Sequence, residues 1–145
     1  MNVSGDIFDV LEQDEKFRGV MKRLLEMSIT LSFNGIVITT AEPGYPIVYT
    51  NAAFCEMTGY SPDEVMGKSP SMLQGPLTDS KVLEQLSQDI AADNIFHGSA
   101  VNYRKDGSTF TMEWKIIPVH NQSGETTHYL AIQRDVTPMK RLDIQ

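Results

Sequence analysis

Three segments in the last third of the chain constrain the fold most: 99–104, 109–118 and 127–136 are rich in β-branched and aromatic residues. Between the first two stands Lys105-Asp106-Gly107-Ser108, and Asp-Gly is a favoured pair for a tight hairpin turn. Asn121 to Glu125 supplies the next reversal. Strands joined by such short connections run antiparallel, so this region is predicted to be a three-stranded meander. One face of that meander needs a layer to bury it.

The preceding residues supply that layer and two more strands. Asn34-Gly35 precedes the β-branched run Ile36–Thr40, and Ile47–Thr50 follows the turn-forming Glu42-Pro43-Gly44-Tyr45-Pro46. Ala52 to Met57 reads as a short helix, and Ser61-Pro62-Asp63-Glu64 combines an N-cap serine, a first-turn proline and a capping-box glutamate. Residues 66–75 read as irregular, with Pro70 limiting any helix. Thr78 or Asp79 then caps a longer helix whose Val82, Leu83, Leu86 and Ile90 are predicted to lie on the sheet. Upstream, Phe8, Leu11, Phe17, Val20, Met21, Leu24, Leu25 and Ile29 recur at helical spacing, giving an amphipathic helix over Asp6–Thr30, in one or two pieces. The expected architecture is α+β: a five-stranded antiparallel sheet with helices on one face, plus the amphipathic N-terminal helix. Its divisions are an N-terminal helical cap at 1–31, the sheet domain at 32–137, and the start of a C-terminal helical connector at 138–145, where Thr137-Pro138 forms a cap and first turn.

With 145 residues, 41% of them apolar, the chain can bury one core. A net charge of −7 lacks the field that gathers polyphosphate, so nucleic acid is not an expected partner. Cys55 is the single cysteine, which excludes a disulfide framework or a thiolate metal site and suits a reducing, cytoplasmic setting. No apolar run approaches the roughly 20 residues that span a bilayer, and the acidic first residues do not read as a secretory signal. His97, His120 and His128 are scattered without metal-ligand spacing, and no serine or cysteine has a recognisable catalytic partner, so enzymatic activity is not expected.

Taken together, Asn34-Gly35-Ile36, Asn51-Ala52-Ala53-Phe54, Thr58-Gly59-Tyr60-Ser61, Asn102-Tyr103-Arg104-Lys105-Asp106-Gly107 and Gln133-Arg134-Asp135-Val136-Thr137 resemble the PAS superfamily, over roughly Ser32 to Lys140. A narrower resemblance lies in Gly67-Lys68-Ser69-Pro70-Ser71-Met72-Leu73-Gln74-Gly75-Pro76. In frame, it is similar to the light-oxygen-voltage (LOV) signature Gly-Arg-Asn-Cys-Arg-Phe-Leu-Gln-Gly-Pro. The cysteine of that signature bonds covalently to a flavin under blue light; here its position holds Pro70, which has no nucleophile. The resemblance implies a site for FMN or FAD that includes Asn102, Gln133 and Gln74, which match the family's flavin-contacting amides. Elsewhere the pattern departs: Ser69 and Met112 stand where the family has asparagines, and Ser71 and Ser87 where it has the phosphate-binding arginines.

Strand alternation places Tyr129, Ala131 and Gln133 on one face, with Phe110, Met112, Trp114 and Ile116 of the neighbouring strand and Asn102 walling the same apolar cavity. With Leu73 from the signature segment, the expected site is Asn102, Gln133, Gln74, Ser69, Met112, Leu73, Trp114 and Ala131. The other face carries Leu130, Ile132 and Ile117, an apolar strip that the N-terminal helix could cover within one chain or across a homodimer. Two functions follow. The first is a sensor that binds a flavin non-covalently and signals through redox or light-driven reduction to an output domain such as a kinase or cyclase. The second is a ligand-free module for dimerisation or signal relay.

Overall fold

The computed structural model describes residues 15–30 and 32–137. The chain divides into two units, 1–31 and 32–145. Within the first, helix α1 spans Glu15–Thr30. Val20, Leu24, Leu25 and Met27 on it are exposed. The part of the expected helix from Asp6 to Asp14, and the connector at 138–145, lie outside the described residues.

The second unit runs β1 (Gly35–Thr40), β2 (Ile47–Thr50), α2 (Ala52–Thr58), α3 (Pro62–Val65), a 3₁₀ turn (Pro70–Leu73), α4 (Ser80–Ala91), β3 (Phe96–Tyr103), β4 (Thr109–His120) and β5 (Thr126–Asp135). The five strands form one antiparallel sheet in the order β2-β1-β5-β4-β3. The chain's last strand is therefore the central one, paired with β1 on one side and β4 on the other.

Local chemistry explains where the elements start and stop. Asn51 is 2% exposed and does two jobs with one side chain: its Oδ1 accepts from Phe54 N at 3.1 Å, capping α2, and from Ile36 N at 2.8 Å, fixing the start of β1. Helix α3 begins with the expected capping box, Ser61 N donating to Glu64 Oε1 at 2.9 Å while Ser61 Oγ accepts from Glu64 N. Of the two candidate caps for α4, Asp79 takes the role, accepting from Lys81 N at 2.9 Å. Thr78 is used otherwise: its hydroxyl accepts from Gly75 N and donates to Val101 O, tying the signature segment to β3.

Beyond shifts of one or two residues at strand ends, three features differ from expectation. The 66–75 segment is not wholly irregular, since Ser69 caps a 3₁₀ turn that begins at Pro70. The Asp106-Gly107 reversal closes through Gly107 N to Arg104 O at 3.0 Å, with Gly107 left-handed at φ 88°, and Arg104 N donating to Ser108 O widens it beyond a two-residue turn. Strand β3 starts at Phe96 rather than Ser99. Gly98 within it is a packing solution, because a Cβ there would meet Phe96 Cζ at 2.7 Å.

The inner face of the sheet carries two apolar clusters. One joins Val37, Ile47, Phe54, Val65, Leu73 and Ala131, with Cys55 packed against it. The other joins Phe96, Ala100, Phe110, Met112 and Trp114, with Val82 and Leu86 of α4 against it. Ile116 packs against both.

Candidate functional site

The two clusters do not merge, and a cavity of about 190 Å³ lies between them, lined from both. Register explains how the sheet builds its wall. In β4 and β5, Trp114 pairs with Gln133 and Ile116 with Ala131; in β3 and β4, Ala100 pairs with Met112 and Asn102 with Phe110. These residues share the inner face. Opposite them stand the signature segment and α4, with Ser69, Pro70, Ser71, Leu73 and Gln74 from the first and Leu86, Ser87 and Ile90 from the second.

All eight residues expected from the sequence line this one cavity: Asn102, Gln133, Gln74, Ser69, Met112, Leu73, Trp114 and Ala131. Pro70 lines it as well, whereas Cys55 is half-buried and is not among the lining residues. Asn102 and Gln133 are 2% and 3% exposed, so both carboxamides are removed from solvent. Asn102 Nδ2 donates to Ala100 O at 3.3 Å, a bond within its own strand. Gln133 Oε1 is buried with no hydrogen-bond partner, and so is Thr39 Oγ1. A buried acceptor left unmade costs about 1–3 kcal/mol. Thr39 and Gln133, two residues that line one largely apolar hollow, each carry such an atom, and this is the strongest polar signal at the cavity.

Thr39 and Tyr45 were not anticipated as lining residues. Thr39 was readable, because it alternates with Val37 and pairs with Tyr129 across β1 and β5. Tyr45 was not: it reaches the cavity because Gly44 and Tyr45 are both left-handed, at φ 85° and 50°, a conformation that local sequence leaves open. Its ring meets that of Tyr129 edge-on, centroids 5.6 Å apart. Burial, with the charge on Tyr45 and Asp93 adding to it, raises the Tyr129 phenol above its ordinary value, so this hydroxyl stays protonated and available as a donor.

A second hollow, a groove of about 310 Å³, lies on the opposite face of the sheet among His97, Glu113, Lys115, Ile132 and Arg134. Although larger, it holds paired charges: Arg134 Nε donates to Glu113 Oε1 at 2.8 Å, and His97 lies 3.9 Å from the same carboxylate. Trp114 and Gln133 line both hollows; the inner cavity is the better candidate because its other walls are largely apolar and include Thr39, a second residue with a buried oxygen that lacks a partner. Among the described residues no group of three His, Cys, Asp or Glu is arranged to hold a metal ion, and no helix is long and apolar enough to cross a membrane. On the outer face Ile117 pairs with Leu130, and Leu130, Ile132 and Ile117 are half-buried.

Comparison with known proteins places this geometry. The family model for the PAS domain matches residues 34–138. The Bacterioopsin transcriptional activator of Halobacterium salinarum is 38% identical over 117 residues, which are 80% of this chain and 17% of that protein. A blue-light-activated histidine kinase of Brucella canis is 41% identical over 95 residues, 66% of this chain and 19% of the kinase. The chain thus spans less than a fifth of either relative. A solved structure described as a flavin analogue shedding light on light-oxygen-voltage domain mechanism superposes with a TM-score of 0.76 at 32% identity, covering 84% of this chain and 90% of that one. With the sheet order, the 67–76 segment against the cavity and these matches in agreement, the chain belongs to the PAS domain family, as a member of its light-oxygen-voltage-like branch.

Proposed function

We propose that this domain is the sensory input unit of a larger, cytoplasmic signalling protein, that its inner cavity holds a flavin non-covalently, and that it is not itself an enzyme. The observation that carries the reading is the buried, partnerless Oε1 of Gln133, a residue that lines a largely apolar cavity on a LOV-like frame. The residues present fit the flavin ring. Leu73, Met112, Trp114 and Ala131 offer apolar walls, and Gln133 with Thr39 offers hydrogen-bonding groups that the protein itself leaves unmet.

A bound flavin supplies a ring nitrogen that accepts a hydrogen bond when oxidised and donates one after taking up an electron and a proton. Gln133 answers either state, since rotation of its carboxamide presents NH₂ or oxygen. The consequence is carried along β5. Two residues on, Asp135 pairs with Arg104 at 2.8 Å and accepts from Thr137 N at 2.9 Å, while Thr137 Oγ1 accepts from Thr111 N at 2.7 Å. A shift at Gln133 therefore reaches the bonds that hold the chain's exit from the sheet, and biases whatever output unit follows, such as a kinase or cyclase. The stimulus is light or redox state, acting without a cysteinyl bond.

One observation favours a second reading, a ligand-free relay module: about 190 Å³ is less than the roughly 300–1,000 Å³ of typical ligand sites, and Trp114 with Met112 takes up part of the space. The two are separated by purifying the protein from a flavin-replete host and recording its visible spectrum and the mass of any released small molecule. Flavin absorbance that shifts in Gln133→Leu supports the first reading. Colourless protein that stays flavin-free after incubation with excess flavin supports the second.

A further inference from the structure

We infer that the cavity recognises a flavin by its ring and neutral tail, and is indifferent to a terminal phosphate, so that riboflavin binds as tightly as FMN. This rests on the flavin reading above and adds which flavin the site prefers. Among the residues lining the cavity there is no Lys, Arg, His, Asp or Glu. What the helical side offers instead is hydroxyl groups, from Ser69, Ser71 and Ser87. Ser71 and Ser87 are exposed, which sets them at the solvent end of the site, and the Ser69 and Ser71 hydroxyls lie 2.9 Å apart.

Such a rim suits the hydroxyls of a polyol, each of which can donate and accept. It does not suit a phosphate monoester, which carries nearly two charges and gains most from forked, charge-assisted bonds. Lys68, on the same segment, is not among the lining residues; its carbonyl is engaged by Ile47 N at 3.0 Å. The chain as a whole is acidic at −7, so no diffuse attraction replaces the missing cation. With no cation among the lining residues, the phosphate stays hydrated in solvent and the ring sets the affinity.

The test is a dark titration of the protein, stripped of any co-purified small molecule, with riboflavin and with FMN, read by quenching of flavin fluorescence at low and at high salt. Riboflavin and FMN are expected to bind within about threefold of each other, with little change between the two salts. Ser71→Arg, checked for fold by circular dichroism, is expected to shift the ratio of the two affinities about tenfold toward FMN. If the unsubstituted protein binds FMN about tenfold or more tightly than riboflavin, and loses that preference at high salt, this inference is overturned while the flavin reading stands. If neither flavin binds, the flavin reading falls and takes this inference with it.

Discussion

Gln133 is where the domain gives up stability for a possible contact. Its buried Oε1 has no partner, and replacing a buried, unsatisfied polar group with an apolar one removes a penalty of about 1–3 kcal/mol. Gln133→Leu is therefore expected to raise the thermal midpoint of the ligand-free protein by several degrees, by calorimetry. The same change is expected to weaken flavin binding about tenfold, since one hydrogen bond of roughly 1 kcal/mol and the ring's orientation go with it. An unchanged midpoint would mean that Oε1 is satisfied in solution. Pro70 is the second residue with a sharp consequence, because it lines the cavity and the motif frame sets it against the family's photoreactive cysteine. Pro70→Cys, loaded with flavin, is expected to lose visible absorbance under blue light and recover in darkness. A spectrum unmoved by light would show that position 70 does not face the ring. Both residues were legible in the sequence, one from strand parity and one from the signature frame, because alternation and in-frame motifs survive without tertiary information. Tyr45 was not legible, since its place depends on two left-handed residues in a loop that no periodicity governs.

At the scale of elements, glycines and caps hold the signature segment against the sheet. A Cβ on Gly75 would lie 2.3 Å from Tyr103 Cε1, and the Tyr103 hydroxyl accepts from Leu77 N at 2.9 Å, so the ring cannot yield without releasing that loop. Gly75→Ala is expected to cost about 1–3 kcal/mol, as a lower urea midpoint. Glu64 ties α3 to the β3–β4 turn through Lys105 Nζ at 2.6 Å. The hydrogen bond from Lys105, then that from Ser61 N, lowers its carboxyl from 4.5 to about 2. A depressed carboxyl contributes stability above its unfolded value that is lost as pH falls. The window here is from about 4.5 down to about 2. Glu64→Gln is expected to flatten that part of the acid dependence of the urea midpoint, by a small amount because the pair is exposed. An identical slope in the variant would remove Glu64 from the account. Strands and caps were largely readable at this scale because turn residues and capping boxes are local signals. The early start of β3 was hidden because Gly98 reads as a break, and only the position of the Phe96 ring shows why glycine stands there.

For the whole molecule, the sequence pattern was enough to give five strands and one helix-covered face, but not the order of the strands, which depends on non-local pairing. Exposed Val20, Leu24, Leu25 and Met27 on α1 motivate a homodimer. Leu24→Glu with Leu25→Glu is expected to shift the sedimentation profile from dimer to monomer with the visible spectrum unchanged; a monomeric unsubstituted protein would sink that expectation. The strand order carries a consequence for biosynthesis. Because β5 sits between β1 and β4, a ribosome that has released the chain only as far as His120 has produced two separate hairpins, β1-β2 and β3-β4, with no plank to join them. Gln133 and Ala131, two walls of the cavity, lie on this joining strand. Closure of the cavity is thus a post-assembly event by construction, and a chain truncated before β5 lacks two of its walls.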